Sequence, residues 1–92
     1  MVTAIALVRA EKGMVTDVAE ALAERDEVAE VYSVSGPYDV VAVLKVKDLD
    51  ALPDLVAGRL QQMNGVADSE TLVAFRTYSH QDMERVFSLG ID

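Results

Sequence analysis

Apolar and polar positions follow two periods along this chain, and the switches between them mark out its elements. From Val2 to Ala10 the pattern is that of a strand with apolar residues on both alternating sets: Val2, Ala4, Ala6 and Val8 on one, Ile5 and Leu7 beside Thr3 on the other. Gly13 breaks the run. Met14, Val15, Val18, Ala21 and Leu22 then recur at the one-face spacing of an amphipathic helix, predicted over 14–25. Asp26-Glu27 ends that helix, Val28–Ser35 reads as a second strand, and Asp39–Val46 as a third. The third is nearly all apolar, which places it at the centre of a sheet. Leu52, Leu55, Val56, Leu60 and Met63 form a second helical stripe, with Asp48 and Asp50 as N-cap candidates and Pro53 in the first turn. Asn64-Gly65 supplies its stop. The fourth strand lies within Val66–Tyr78, strongest over Thr71–Phe75. Ser79-His80-Gln81-Asp82 has the form of a helix-opening cap, and Met83, Val86 and Phe87 give the short apolar face of a C-terminal helix.

An internal echo predicts how these elements assemble. Sliding the chain by 38 positions lays Val18, Leu22, Val28, Ala29 and Glu30 over Val56, Leu60, Val66, Ala67 and Asp68, with Met14 over Leu52 and Val8 over Val46. Each half is strand, helix, strand. Two such units in tandem make an α+β fold, the ferredoxin-like βαββαβ plait. Right-handed crossovers put both helices on one face of an antiparallel sheet. The other face would be polar if it met water, yet the first and third strands are apolar on both sets. A bare apolar face that large is unusual on a soluble monomer. Two sheets packed back to back in a homodimer, a dimeric α+β barrel, is therefore the expectation.

Composition narrows the chemistry. Ninety-two residues make one small domain, which alone buries only roughly 60–65% of its unfolded surface. The 51% apolar content exceeds what such a core needs, which again points to a subunit interface. The formal net charge of −8 opposes direct nucleic acid binding, which needs basic patches, and opposes anionic membrane surfaces. Nothing at the N-terminus has the length of a membrane span or the basic start of a signal peptide, so a cytoplasmic location is expected. With no cysteine and a single histidine, His80, neither a thiolate site nor a clustered metal site is in view, and no cofactor is expected. Asp48 and Asp50 are better explained by capping than by chelation. No Ser-His-Asp set, P-loop or Rossmann glycine pattern is present.

The candidate chemistry gathers where the second and third strands meet. Gly36-Pro37 reads as a tight hairpin connection, and Asp39 is the only acidic side chain between Tyr32 and Leu44. Turn chemistry accounts for Gly36 and Asp39, and an interface accounts for Tyr38. The same groups also suit a zwitterion, with turn N–H groups receiving a carboxylate and Asp39 pairing an ammonium. Ser33 and Ser35 interrupt an apolar strand, and Ser35, beside the glycine, is the better candidate contact. Strand propensity by itself explains Thr71.

Gly36-x-Tyr38-Asp39, the apolar third strand, Gly65-Val66 and then Thr71 together resemble the ligand-binding (RAM) domain of the Lrp/AsnC transcription regulators. The resemblance runs from about Thr3 to Phe75 and makes Thr71 a candidate polar contact to an effector. Regulators of that family usually carry an N-terminal winged helix-turn-helix, whereas the first strand here begins at residue 2. The chain therefore resembles the stand-alone form, with 1–79 as the ligand-binding domain and 80–92 as a C-terminal helical extension. The resemblance implies β-sheet dimers that associate further, as octamers or decamers, with effectors near contacts between dimers.

Two functions follow from these readings. The first is a non-enzymatic sensor: a homo-oligomer that binds an amino acid or related small metabolite through Ser35, Gly36, Tyr38, Asp39 and Thr71. Such a domain modulates a DNA-binding Lrp/AsnC relative without touching DNA itself. The alternative is a small cofactor-independent enzyme, since the same barrel hosts monooxygenases and isomerases. That second reading requires a polar cavity between sheet and helices within each protomer.

Overall fold

The computed structural model describes residues 1–80 of the chain. β1 (Val2–Ala10) and β3 (Val40–Val46) form the centre of a four-stranded antiparallel sheet of order β2-β3-β1-β4, with β2 spanning Val28–Ser33 and β4 spanning Val66–Ala74. The two most apolar strands thus occupy the two positions flanked on both sides, β3 as its pattern predicts. The pairing register runs from Val2 opposite Val46 to Val8 opposite Val40, and from Thr3 opposite Ala74 to Arg9 opposite Asp68. Directly opposed residues share a face. One face therefore carries Ala4, Ala6, Val8, Val40, Ala42, Leu44 and Val46, all buried.

That face packs against the helices. α1 (Val15–Ala23) turns Val18 and Leu22 into the core, both essentially without exposure. Burying a side chain such as Leu22 contributes about 1.5–3 kcal/mol. The second helical segment opens as a 3-10 turn over Leu49–Ala51 and continues as a π-helix over Asp54–Leu60. Its wide turn is closed by the Gln61 N–H donating to the Val56 carbonyl, five residues back, at 2.9 Å. Leu52, Leu55 and Leu60 join the same core as Val18 and Leu22, so both helical segments cover one face of the sheet. The tandem halves of the sequence correspond to β1-α1-β2 and β3-helix-β4.

Several boundaries differ from the sequence reading. β2 ends at Ser33 and β3 begins at Val40, so the connection is the six residues 34–39 rather than a tight turn. It is closed by the Val34 N–H donating to the Asp39 carbonyl at 2.9 Å. The second helix is not a regular α-helix, and Asp48 stands at its N-cap position without a side-chain hydrogen bond. β4 ends at Ala74, opposite Thr3 in the last β1–β4 pair, and Phe75 beyond it is 96% exposed. Of the expected C-terminal helix, all beyond His80 falls outside the described residues.

The second helical segment ends at Leu60 with Gln61 as its C-cap, earlier than the expected stop at Asn64-Gly65, and Gly65, in the turn just before β4, has a φ of +91°. A Cβ there would also lie 2.9 Å from Val18 Cγ2 and 3.0 Å from Met14 Cε. Both backbone and space require glycine.

Candidate functional site

The back of the sheet carries Ile5, Leu7, Val41, Val43 and Leu72, with Val41 and Val43 both on this face. The first four are half-buried and Leu72 is 45% exposed, so a contiguous apolar stripe faces outward. Polar groups close it at both ends. At one end the Lys45 ammonium donates to Thr3 Oγ1 at 2.7 Å. At the other stand Arg9, Asp68, Glu70 and Tyr38. Along β2, the Tyr32 hydroxyl donates to Glu30, and that hydrogen bond raises the Tyr32 pKa above its ordinary value.

The 34–39 connection is strapped to this second end. Arg9 Nη1 donates to the Pro37 carbonyl at 2.7 Å, Nη2 to Asp68 Oδ2 at 3.3 Å, and its guanidinium lies 4.9 Å from the centre of the Tyr38 ring. The Tyr38 hydroxyl donates to Glu70 Oε2 at 2.5 Å. That hydrogen bond, then partial desolvation and the Glu70 charge, hold the phenol above its ordinary pKa, with Arg9 pulling the other way. Arg9 and Asp68 are both about half exposed, so their ion pair contributes about 0.2–1 kcal/mol and acts mainly to orient the loop.

Asp39 is the deeper anchor. Its N–H donates to the Val8 carbonyl at 2.9 Å, and its Oδ2 accepts the Ala10 N–H at 2.9 Å. Ala10 lies past the last β1–β3 pair and beside the register shift at Arg9/Ala10, so the carboxylate supplies an acceptor where the ladder has stopped. Gly36, at the tip, has a φ of +124° with open space around it. Ser35 and Gly36 are exposed, whereas Tyr38 and Asp39 are half-buried.

Thr71 is placed elsewhere. It pairs with Ala6 and so faces the helices, away from Glu70 and Tyr38. Its Oγ1 and the Ser69 Oγ are buried without a hydrogen-bond partner. Beside Thr71 an apolar groove of about 300 Å³ runs between β4 and the second helical segment, lined by Leu49, Leu52, Pro53, Val56 and Val73. Ser35, Gly36, Tyr38 and Asp39 are therefore brought together in one protomer, and Thr71 is not among them. Sequence reasoning missed Arg9, Ser69 and Glu70. Only the register that sets Arg9 against Asp68, and Leu7 against Glu70, brings them to the loop, and periodicity carries no trace of it.

Two other cavities bear on the chemistry. Between sheet and helices, a cavity of about 10 Å³ lined by residues including Leu22, Leu44, Leu55 and Leu60 has no room for a ligand. A second cleft, about 550 Å³, is open and polar, with Glu24, Arg25, Asp26, Glu27 and Arg59 on its walls and Arg59 3.5 Å from Glu27 Oε2. It lies apart from all five candidate residues. Among the described residues no group of His, Asp or Glu is placed to hold a metal ion, and no helix is long and apolar enough to cross a membrane.

The chain is thus a split βαβ plait of the α+β class, with an apolar sheet back and a polar loop pinned at its rim. The chain belongs to the family of the Lrp/AsnC ligand binding domain, whose model matches residues 3–83. It is similar to TTHA0845 from Thermus thermophilus, at 46% identity and a TM-score of 0.81, over 87% of this chain and 100% of that one. It is 29% identical over 75 residues to the HTH-type transcriptional regulator FL11 of Pyrococcus horikoshii. There the match takes in 82% of this chain but 49% of FL11, so the chain spans about half the length of that curated relative. A Neisseria meningitidis transcriptional regulator, NMB0573 in complex with L-Met, shares the fold, with a TM-score of 0.77 at 20% identity over 86% of this chain and 53% of that one.

Proposed function

We propose that this domain is a non-enzymatic sensor of an amino acid or a closely related metabolite, held at contacts between copies of a homo-oligomer. The observation that carries this reading is the match of residues 3–83 to a ligand binding domain of regulators. The L-Met bound by the Neisseria relative supports the ligand class. Geometry supports the location. The exposed N–H groups of Ser35 and Gly36 suit a carboxylate, and Asp39 Oδ1 is left for an ammonium once Oδ2 has taken the Ala10 amide. Thr71 faces the other side of the sheet, so Thr71 and the loop reach one ligand only when different copies contribute them. The filled core supports this reading over the barrel-enzyme alternative.

Back-to-back packing of the stripe around Ile5, Leu7, Val41 and Val43 forms the dimer, and further association builds the ring. A ligand that prefers one association state shifts the population toward it. In a cytoplasmic setting the domain would act on DNA-binding relatives through mixed oligomers, and with a net charge of −8 it is expected to give no electrophoretic shift of DNA itself. Isothermal titration against the twenty amino acids, with sedimentation velocity before and after each, is expected to give heat and a change of mass for one or a few. No heat and no change across the panel would sink the proposal. Val43→Lys is expected to dissolve the dimer, and a variant that stays assembled would misplace the interface.

A further inference from the structure

The two edges of the sheet are built differently. β2 is six residues long, and its pairing slips between Val28 and Glu30. A short, bulged strand bearing an acidic residue is a poor template for another chain. β4 runs nine residues and pairs only with β1, which leaves its outer backbone groups unpaired among the described residues. Its second half, Thr71-Leu72-Val73-Ala74, has no charge, no proline and no bulge. Past Ala74 the pairing with β1 has stopped, and Phe75 and Tyr78 are 96% and 74% exposed. Beside this stretch lie the apolar groove and the unpartnered Thr71 hydroxyl.

We infer that β4 pairs antiparallel with β4 of a second copy, about a two-fold axis through Val73. An axis perpendicular to the sheet keeps each face in common, so a residue is opposed by one of like facing. Val73 and Thr71 face the helices, and strand alternation carries Phe75 to the same side. The second copy's Phe75 then lies opposite Thr71, at the mouth of the groove. On the other face Glu70 opposes Arg76, a cross-strand pair of opposite charge. Moving the axis to Ala74 sets Arg76 against Leu72. Moving it to Leu72 carries Phe75 away from Thr71 to Ser69 and sets Arg76 on Asp68, which leaves the groove without its aromatic side chain. Only the axis at Val73 fills the groove and pairs Glu70 at once.

The edge contact leaves the sheet back uncovered. It stands whether or not an effector binds; only its role in joining dimers into a ring rests on the reading above. Two different self-complementary contacts on one chain generate a closed higher assembly when their rotations close.

The chain has no cysteine, so a single one reports cleanly. Residues on such an axis have Cα atoms about 4.5–5.5 Å apart, within disulfide reach. Val73 faces the helices, so back-to-back packing cannot join two copies there. Under mild oxidation at micromolar concentration, Val73→Cys is expected to yield a covalent dimer at least about tenfold faster than Glu20→Cys on the exposed side of α1. Adding Arg76→Glu should slow it several-fold, about the loss of one cross-strand pair, and adding Glu70→Arg to that variant should restore it. Equal rates at the two positions, or no rescue by the charge swap, overturn the inference. Phe75→Glu touches no core residue and should lower the mass of the largest species in sedimentation while sparing the back-to-back dimer. An unchanged mass overturns the inference as well. Loss of the dimer by Val43→Lys reports on the other interface, so the two readings fail separately.

Discussion

Val18 and Val56 stand at equivalent places in the two halves of the chain, and the fold treats them differently. Val18 is fully buried in α1, whereas Val56 is half-buried on the wall of the apolar groove. In α1 the turn is regular and Val18 and Leu22, four apart, share the core face. In the second segment the π turn is wider, so Leu55 and Leu60, five apart, take the core and Val56 rotates outward. The residues before the edge strands diverge as well. Gly65 lets α1 approach to contact, and its counterpart Glu27 instead reaches Arg59 across the open polar cleft. α1 thus turns its equivalent valine into the core, whereas the second segment turns it out onto a groove beside an open edge strand. A tandem repeat sets the topology twice, but it need not set the surface twice.

The largest expected effect tests that rotation. Leu55→Ala should cost about 2–5 kcal/mol in urea unfolding, and Val56→Ala less than about 1 kcal/mol. The reverse order would restore the strict repeat. Next, Gly65→Ala should cost about 2–3 kcal/mol, because its Cβ meets Val18 and its φ is positive. Glu27→Ala, at the equivalent position, should cost less than about 1 kcal/mol. Equal losses at Gly65 and Glu27 would erase the distinction between the close-packed turn before β4 and the open one before β2.

A smaller effect is expected at the loop that joins the halves. Asp39→Ala leaves the Ala10 N–H without its acceptor, so a loss of about 1–2 kcal/mol with the cooperative transition retained is expected. Under the proposed function the same variant loses effector response in calorimetry, whereas full response would confine Asp39 to anchoring the loop. The smallest effect is a titration. The Glu70 hydrogen bond raises the Tyr38 pKa, so the proton is held more tightly in the folded state. Its stabilising effect is complete below the unfolded tyrosine value of about 10 and is lost as pH rises through the raised folded value. Tyrosinate absorbance should show this midpoint falling in Glu70→Gln. An unmoved midpoint would mean that Glu70 does not hold the loop.

Much of this fold is legible in the sequence because strand and helix periods are local properties. The apolar run of β3 marked it as central, and the recurrence of Val18-Leu22-Val28 as Val56-Leu60-Val66 prescribed two strand-helix-strand units. The family was legible too, in Gly36-x-Tyr38-Asp39, Gly65-Val66 and Thr71. The candidate site was legible only in part. Gly36 and Asp39 announce themselves by turn chemistry and Tyr38 by its place beside them, but the partners Arg9, Glu70 and Ala10 lie far off along the chain and carry no local mark.

The sequence alone determined which segments are strands and helices, their order and the apolar character of both sheet faces, since each follows from neighbours a few positions apart. Tertiary structure alone decided that Thr71 and Tyr38 lie on opposite faces, that Asp39 commits one oxygen to Ala10, and that Val56 leaves the core. Those outcomes depend on strand register and on the width of one helical turn. Both are set by the packing of residues distant in sequence, which no local pattern encodes.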